Sequence, residues 1–473
     1  MRTQRFRVLG LALLSTVTVL AACAADGVDV HIASSALTTP ADVQASASGT
    51  SVRASLPSLP EGCLHPTFCP SPSQSWSRDL IATDLHLDLA RLHGSAVITF
   101  VPSLSSTGAS FDVHGLVVES VTGPYGPLDY RVDGGRLDVG VPLGTVYVSV
   151  DYAFTVHDDF DGWLPQGVSF LWPRFCGNLF PCKPDPDDGL AFSLDVTGVP
   201  EGQTAVYPTV IPFNAPSYQP AIAVGNYVKR VLGATPAGTQ LSVWFHPGEE
   251  AAAERGTLHL VDGFAFFEQV LGPYVFGQEA GTVSASWGPG GYGGMEHHPF
   301  WHVGGPSLAS GLTNLHEAAH GWFGDGVRMQ CWEDFVLSEG SADYWSARAY
   351  EATYGTAGGK LVWDYYRRVL DSVMAAGGDT IAWPSGCNAI DILHDPLWSS
   401  IPYKKGAFFL RAVEERVGRD AFDRAVSLFY MWHVGKAASM QDLVDTIEWM
   451  TGTQVDDLVQ VWLRQLGAPA AAP

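Results

Sequence analysis

The segment His316-Glu317-Ala318-Ala319-His320, with Glu339 following after eighteen intervening residues, constrains this chain more than any other feature. A spacing of four places two imidazoles on one face of a helix, one turn apart, where both can grip a single ion while Glu317 leans toward its open side. The pattern predicts a helix over 307–323. A second helix is predicted across Trp332-Glu-Asp-Phe-Val-Leu-Ser-Glu339-Gly-Ser-Ala-Asp343-Tyr344, supplying the Glu339 carboxylate as third ligand. Two imidazoles, one carboxylate and a vacant fourth position for water suit one zinc ion at a catalytic rather than a structural centre. Asp343 lies one turn beyond Glu339 and is predicted to accept a hydrogen bond from a ligating imidazole, fixing its tautomer.

The rest of the chain must supply a frame for those two helices. A length of 473 residues predicts more than one domain. Arg2, Arg5 and Arg7 precede the apolar run Val8 to Leu20, which reads as a signal peptide over 1–22. Leu20-Ala21-Ala22-Cys23 is similar to the lipobox of bacterial lipoproteins, so Cys23 is expected to carry lipid and 23–74 to form a flexible tether. The expected location is outside the cytoplasmic membrane, on the periplasmic or surface side of an outer membrane. With Cys23 set aside, six cysteines remain, an even set suited to an oxidising space. Of the fifteen possible connectivities we favour Cys63 with Cys69, Cys176 with Cys182, and Cys331 with Cys387.

From about residue 75 to 238 short β-type runs alternate with Gly, Pro and Asp turns, as in Ser95-Ala-Val-Ile-Thr-Phe100 and Ala191-Phe-Ser-Leu-Asp-Val196, and predict an all-β domain. From 239 to 473 the texture is mostly helical, opening with a helix over 249–271 and a strand over 282–287. A net charge of −23 repels phosphate backbones and excludes nucleic acid as a natural partner. No partner protein is evident.

His316 to Tyr344 resembles the zinc-site block of the aminopeptidase N family of gluzincins, which also holds the leukotriene A hydrolases. Upstream, Gly293-Gly294-Met295-Glu296-His297 is similar to that family's Gly-x-Met-Glu-Asn motif, whose glutamate holds the substrate's free α-amine. Downstream, Tyr403-Lys404-Lys405-Gly406-Ala407 resembles its Tyr-x-Lys-Gly-Ala segment, whose tyrosine stabilises an oxyanion. The resemblance implies an α+β multidomain fold, with an all-β N-terminal domain followed by a thermolysin-like, mostly helical catalytic domain. It also implies a zinc-dependent aminopeptidase acting on peptides, with Glu317 as base and Tyr403 as oxyanion donor. Gly293, Gly294, Met295 and Glu296 would then bind substrate.

Three departures stand out. His297 replaces the family's asparagine and is followed by His298; both read as polar loop residues near the cleft and are not counted as ligands. A second amine anchor would fall at Trp172, which is not an amide or carboxylate. The family's helical C-terminal domain is expected to be absent, which would imply a more open cleft. An endopeptidase with the same metal centre, or a lipoprotein that binds peptides without hydrolysing them, therefore remain as alternatives.

Overall fold

The computed structural model describes residues 76–288 and 292–469. The signal peptide, Cys23, the tether and the Cys63–Cys69 pair lie outside the described residues.

Strict alternation builds the N-terminal half. In His93–Phe100, Gly94, Ala96, Ile98 and Phe100 are buried while the residues between them are half-exposed, the period of a strand with one wet face. That strand lies near the middle of a seven-stranded mixed sheet. Across it run, in order, Val210–Ala215, Leu190–Thr197, Leu80–Asp88, His93–Phe100, Tyr147–Ala153, Val117–Gly123 and Gly126–Pro127. A three-stranded sheet of Gly108–Asp112, Arg136–Gly140 and Tyr130–Asp133 accompanies it. The Cys176–Cys182 disulfide closes the segment that follows.

The second half opens with a five-stranded sheet in the order Val228–Ala234, Gln240–Phe245, Glu279–Ala285, Phe300–Gly304, Gly294–Met295. Its three inner strands run parallel, and both edge strands are antiparallel. Because Val228–Ala234 pairs with Gln240–Phe245, this sheet begins before residue 239, where the composition changes.

Seven helices matter here: α1 (Glu250–Thr257), α2 (Leu260–Val270), α3 (Gly311–Ala319), α4 (Phe335–Ala375), α5 (Ser400–Val417), α6 (Arg419–His433) and α7 (Met440–Thr451). The single helix expected over 249–271 is thus two, broken at Leu258 and His259. The helix expected over 307–323 is shorter. It starts where the Ser310 hydroxyl accepts the Thr313 amide at 3.1 Å, and Gly324 turns the chain at φ 111° soon after its end. Helix α4 carries a break at Gly355, whose φ of 68° is open to glycine and strained for other residues. Among the described residues no helix is long and apolar enough to cross a membrane.

The polar chain Trp301 Nε1 to Thr282 Oγ1 to Asn314 Oδ1 ties α3 to the sheet, and Asn314 also donates to the Ser310 carbonyl. Beneath it Trp322 is fully buried, with Phe264, Phe267 and Tyr274 ring centroids 5.1 to 5.6 Å away.

Candidate metal centre

Helix α3 delivers His316 and His320 to one point, and α4 brings Glu339 against them. His316 Nε2 lies 3.2 Å from His320 Nε2 and 3.1 Å from Glu339 Oε2, and His320 Nε2 is 3.5 Å from the same carboxylate oxygen. Ligand atoms of His316, Glu317 and His320 fall within 4.8 Å of one another.

The ring nitrogens on the far sides settle what those atoms can be. His316 Nδ1 donates to Asp343 Oδ1 at 3.1 Å, and His320 Nδ1 donates to the Phe323 carbonyl at 3.0 Å with Ser338 Oγ at 3.2 Å. In the neutral tautomers these bonds select, both Nε2 atoms present lone pairs to each other and to a carboxylate. Three acceptors face one another, so the cluster calls for a cation, and its two-nitrogen, one-carboxylate donor set fits zinc. In place of a metal cation, the neighbouring carboxylates favour a proton on the same nitrogens. Burial opposes a charge on His316, but Asp343 and Glu339 outweigh it and hold the imidazole well above its usual range. Burial would likewise raise Glu339, yet the neighbouring His320 and His316 bring it down to about 2.

Glu317 sits beside this cluster. Burial, reinforced by Glu296 and Glu339 against the pull of His316 and His320, lifts its carboxyl to about 8. Such a group takes and returns a proton near neutrality. Its seat depends on Gly294, where a β-carbon would overlap the Glu317 carboxylate. Gly294 and Met295 form the edge strand, paired with Val303 and His302, and Gly293 accepts the Gly304 amide at 3.0 Å. The motif around Glu296 is therefore held by the sheet beside the two imidazoles. Glu296 is buried, which raises its pKa, and it senses both His320 and Glu339.

Tyr403 comes from α5. Its ring stacks on His316 with centroids 5.8 Å apart and planes at 14°, and packs edge-on against Phe335. Burial and the charges of Glu339, Glu296 and Glu317 hold its hydroxyl well above the ordinary phenol range, so it is a proton donor. The α4–α5 crossing that brings it there turns on two glycines. A β-carbon on Gly406 would stand 2.6 Å from the Gly340 Cα, and one on Gly340 would stand 2.7 Å from the Gly406 Cα.

His297 and His298 lie in the loop between the strands Gly294–Met295 and Phe300–Gly304, and both are buried. The Tyr274 hydroxyl donates to His298 Nδ1 and His298 Nε2 donates to the Glu317 carbonyl, each at 2.8 Å. That carbonyl is one of those a helix leaves without an intrahelical partner at its C-terminal end, so His298 caps the turn that carries Glu317. His297 packs at 89° to His302, centroids 5.2 Å apart. Trp172 is a packed indole, edge-on to Trp332 and Trp398 and tilted against Phe335, and offers no acceptor to an amine.

Sequence reasoning missed Tyr274, Lys404 and Asp325. Lys404 Nζ reaches Asp343 Oδ2 at 2.5 Å, whereas the adjacent Lys405 turns away to Asp379 at 2.8 Å. Asp325 is fully buried near Tyr218, with a pKa raised by burial and by Glu296. Lys404 stood inside a segment already singled out, but no one-dimensional signal shows which way either lysine of that pair points.

The arrangement is a β-rich unit followed by a helical unit whose sheet edge flanks a His-Glu-His-Glu cluster. The structure is similar to the M1 zinc metallopeptidase of Deinococcus radiodurans, with TM-score 0.73 and 19% identity, covering 84% of this chain and 96% of that one. It is also similar to yeast LTA4 hydrolase, with TM-score 0.67 and 19% identity, covering 85% of this chain and 72% of that one. In sequence, residues 312–462 match the peptidase family M1 domain. Leucine aminopeptidase 2 of Neurospora crassa is 26% identical over 310 residues, which cover 59% of this chain and 44% of that protein. Leucine aminopeptidase 2 of Aspergillus fumigatus is 28% identical over 363 residues, covering 68% and 56%. The chain thus spans about half the length of these two relatives. Over residues 312–462 the chain is thus similar to the peptidase family M1 domain, in line with the resemblance to the aminopeptidase N family.

Proposed function

We propose that this protein is a zinc-dependent aminopeptidase that removes N-terminal residues from peptides. The observation that carries the reading is the convergence of His316 Nε2, His320 Nε2 and Glu339 Oε2 within 3.5 Å of one another, with Glu317 alongside. His316, His320 and Glu339 would hold one zinc ion, which when bound supplies a Lewis acid for the scissile carbonyl and for water.

The chain's own groups do the rest. Glu317 takes a proton from water and returns it to the leaving amine, a role suited to a carboxyl near 8. Tyr403 donates a hydrogen bond to the oxygen that gains charge, a contact worth about 3 kcal/mol when single donors of this kind are removed elsewhere. Glu296 pairs with the substrate ammonium and sets which peptide bond lies over the centre. His298 and Asp343 keep Glu317 and His316 in place.

A Glu317→Ala variant that retains zinc and loses turnover by several orders of magnitude supports the reading. Wild-type protein free of zinc, or a variant as active as wild type, refutes it. The packed indole of Trp172 favours one second reading, an endopeptidase with the same centre. Equal cleavage of a peptide and its N-acetylated form would select that reading over an aminopeptidase.

For the exported state, the basic and apolar start, Cys23 and the disulfides Cys176–Cys182 and Cys331–Cys387 support a lipoprotein of an oxidising compartment. Mass spectrometry of the mature N-terminus tests it, since an unlipidated Cys23 would remove the anchor.

A further inference from the structure

We propose that Lys404 is a positioning residue that draws charge off Asp343, keeps His316 a weaker donor, and so preserves the electrophilicity of the ion held by His316, His320 and Glu339. The inference rests on the zinc-peptidase reading above.

The two oxygens of Asp343 are divided between two elements. Oδ1 accepts from His316 Nδ1 of α3 at 3.1 Å, and Oδ2 accepts from Lys404 Nζ of α5 at 2.5 Å. Tyr366, the nearby phenol on α4, donates to the Asp343 carbonyl at 3.1 Å. The ammonium is enclosed. Lys404 is buried, with Nζ 4.3 Å from the Tyr366 ring centroid and 5.6 Å from that of Tyr403.

A carboxylate bonded only to a ligating imidazole pushes electron density into the ring. It makes the ring a better ligand, which tightens metal binding and weakens the ion as a Lewis acid. An ammonium on the second oxygen competes for that same density. Burying a lysine is costly unless it is paired, and tying α5 to its surroundings does not require this one. Lys405 already does that through Asp379, the Thr380 carbonyl and the Gln465 carbonyl. What Lys404 alone contacts is the carboxylate that orients His316.

The test compares wild type, Lys404→Met, Lys404→Arg, Asp343→Asn and the double variant Asp343→Asn with Lys404→Met. Two readouts are taken: the zinc dissociation constant by competition with a chromogenic chelator, and the acid limb of kcat/KM on an aminoacyl reporter. Lys404→Met is expected to bind zinc about tenfold more tightly, within the range such outer contacts command. Its acid limb moves to higher pH, so activity falls more on the acid side than on the alkaline side. Lys404→Arg restores both. With Asp343 already neutralised, removing Lys404 leaves zinc affinity unchanged, and this pair carries the test should Lys404→Met alone not fold. Unaltered zinc affinity and an unmoved limb in folded Lys404→Met overturn the inference, as does a difference in zinc affinity between Asp343→Asn and the double variant. Failure of the wild-type protein to bind zinc instead defeats the peptidase reading itself.

Discussion

Replacing Gly406 by alanine tests whether the α4–α5 crossing sets the catalytic geometry. The added β-carbon would lie 2.6 Å from the Gly340 Cα and 2.7 Å from Val336 Cγ2. The first neighbour is backbone and cannot rotate away. Restoring ordinary carbon contact near 3.5 Å from 2.6 Å requires the helices to part by about 0.9 Å. Glu339 is next to Gly340 on one helix, and Tyr403 is three residues before Gly406 on the other. The displacement therefore falls between the proposed metal ligand and the proposed oxyanion donor. Overpacking of this kind costs about 1–3 kcal/mol, against which the better helix propensity of alanine returns about 1 kcal/mol. The expected net loss of stability is thus small. The kinetic loss is not, since a displacement near 1 Å costs about a hundredfold. Thermal unfolding, zinc content and kcat/KM on an aminoacyl reporter measure all three. A variant that keeps wild-type kcat would show that Tyr403 tolerates the shift and that the reasoning from the glycine pair is wrong.

Tyr403→Phe is expected to lower kcat by about 10²–10³ with little change in KM, and a rise in KM alone would make Tyr403 a ground-state contact. Gly294→Ala should displace the Glu317 carboxylate and depress kcat while zinc stays bound, which activity and metal analysis together decide. Glu296→Gln should weaken cleavage of peptides with a free amine and leave their N-acetylated forms unaffected; equal losses on both would rule out amine recognition. Acid should destabilise the protein. His298 and His302 are buried neutral, and burial lowers each to about 3, below the ordinary imidazole value of 6.5. The unfolded chain then binds more protons, so the stability these groups contribute is complete above pH 6.5 and is lost as pH falls toward 3. The slope is about 3 kcal/mol per pH unit for the pair, and His298→Gln should remove about half of it, as urea titrations across that range would show.

The chemistry of the centre could be read from the chain alone. A four-residue spacing puts both histidines on one helix face, and the same spacing puts Asp343 one turn beyond Glu339; that the two helices bring these pairs together is decided by packing. Strand alternation such as that of His93–Phe100 was equally legible, because one buried face leaves a period of two. Other features arise only when the chain has packed. The break at Leu258 and His259 in the first helical stretch, the capping of Glu317 by His298 and the seating of that carboxylate over Gly294 depend on residues that meet from distant segments. Lys404 and Lys405 are identical and adjacent in the chain, yet one lies on a helix face turned to Asp343 and the other on a face turned to Asp379. Local periodicity states which side chains share a face. What each face meets is set by how the helices pack, here by two glycines whose bare α-carbons let α4 and α5 touch.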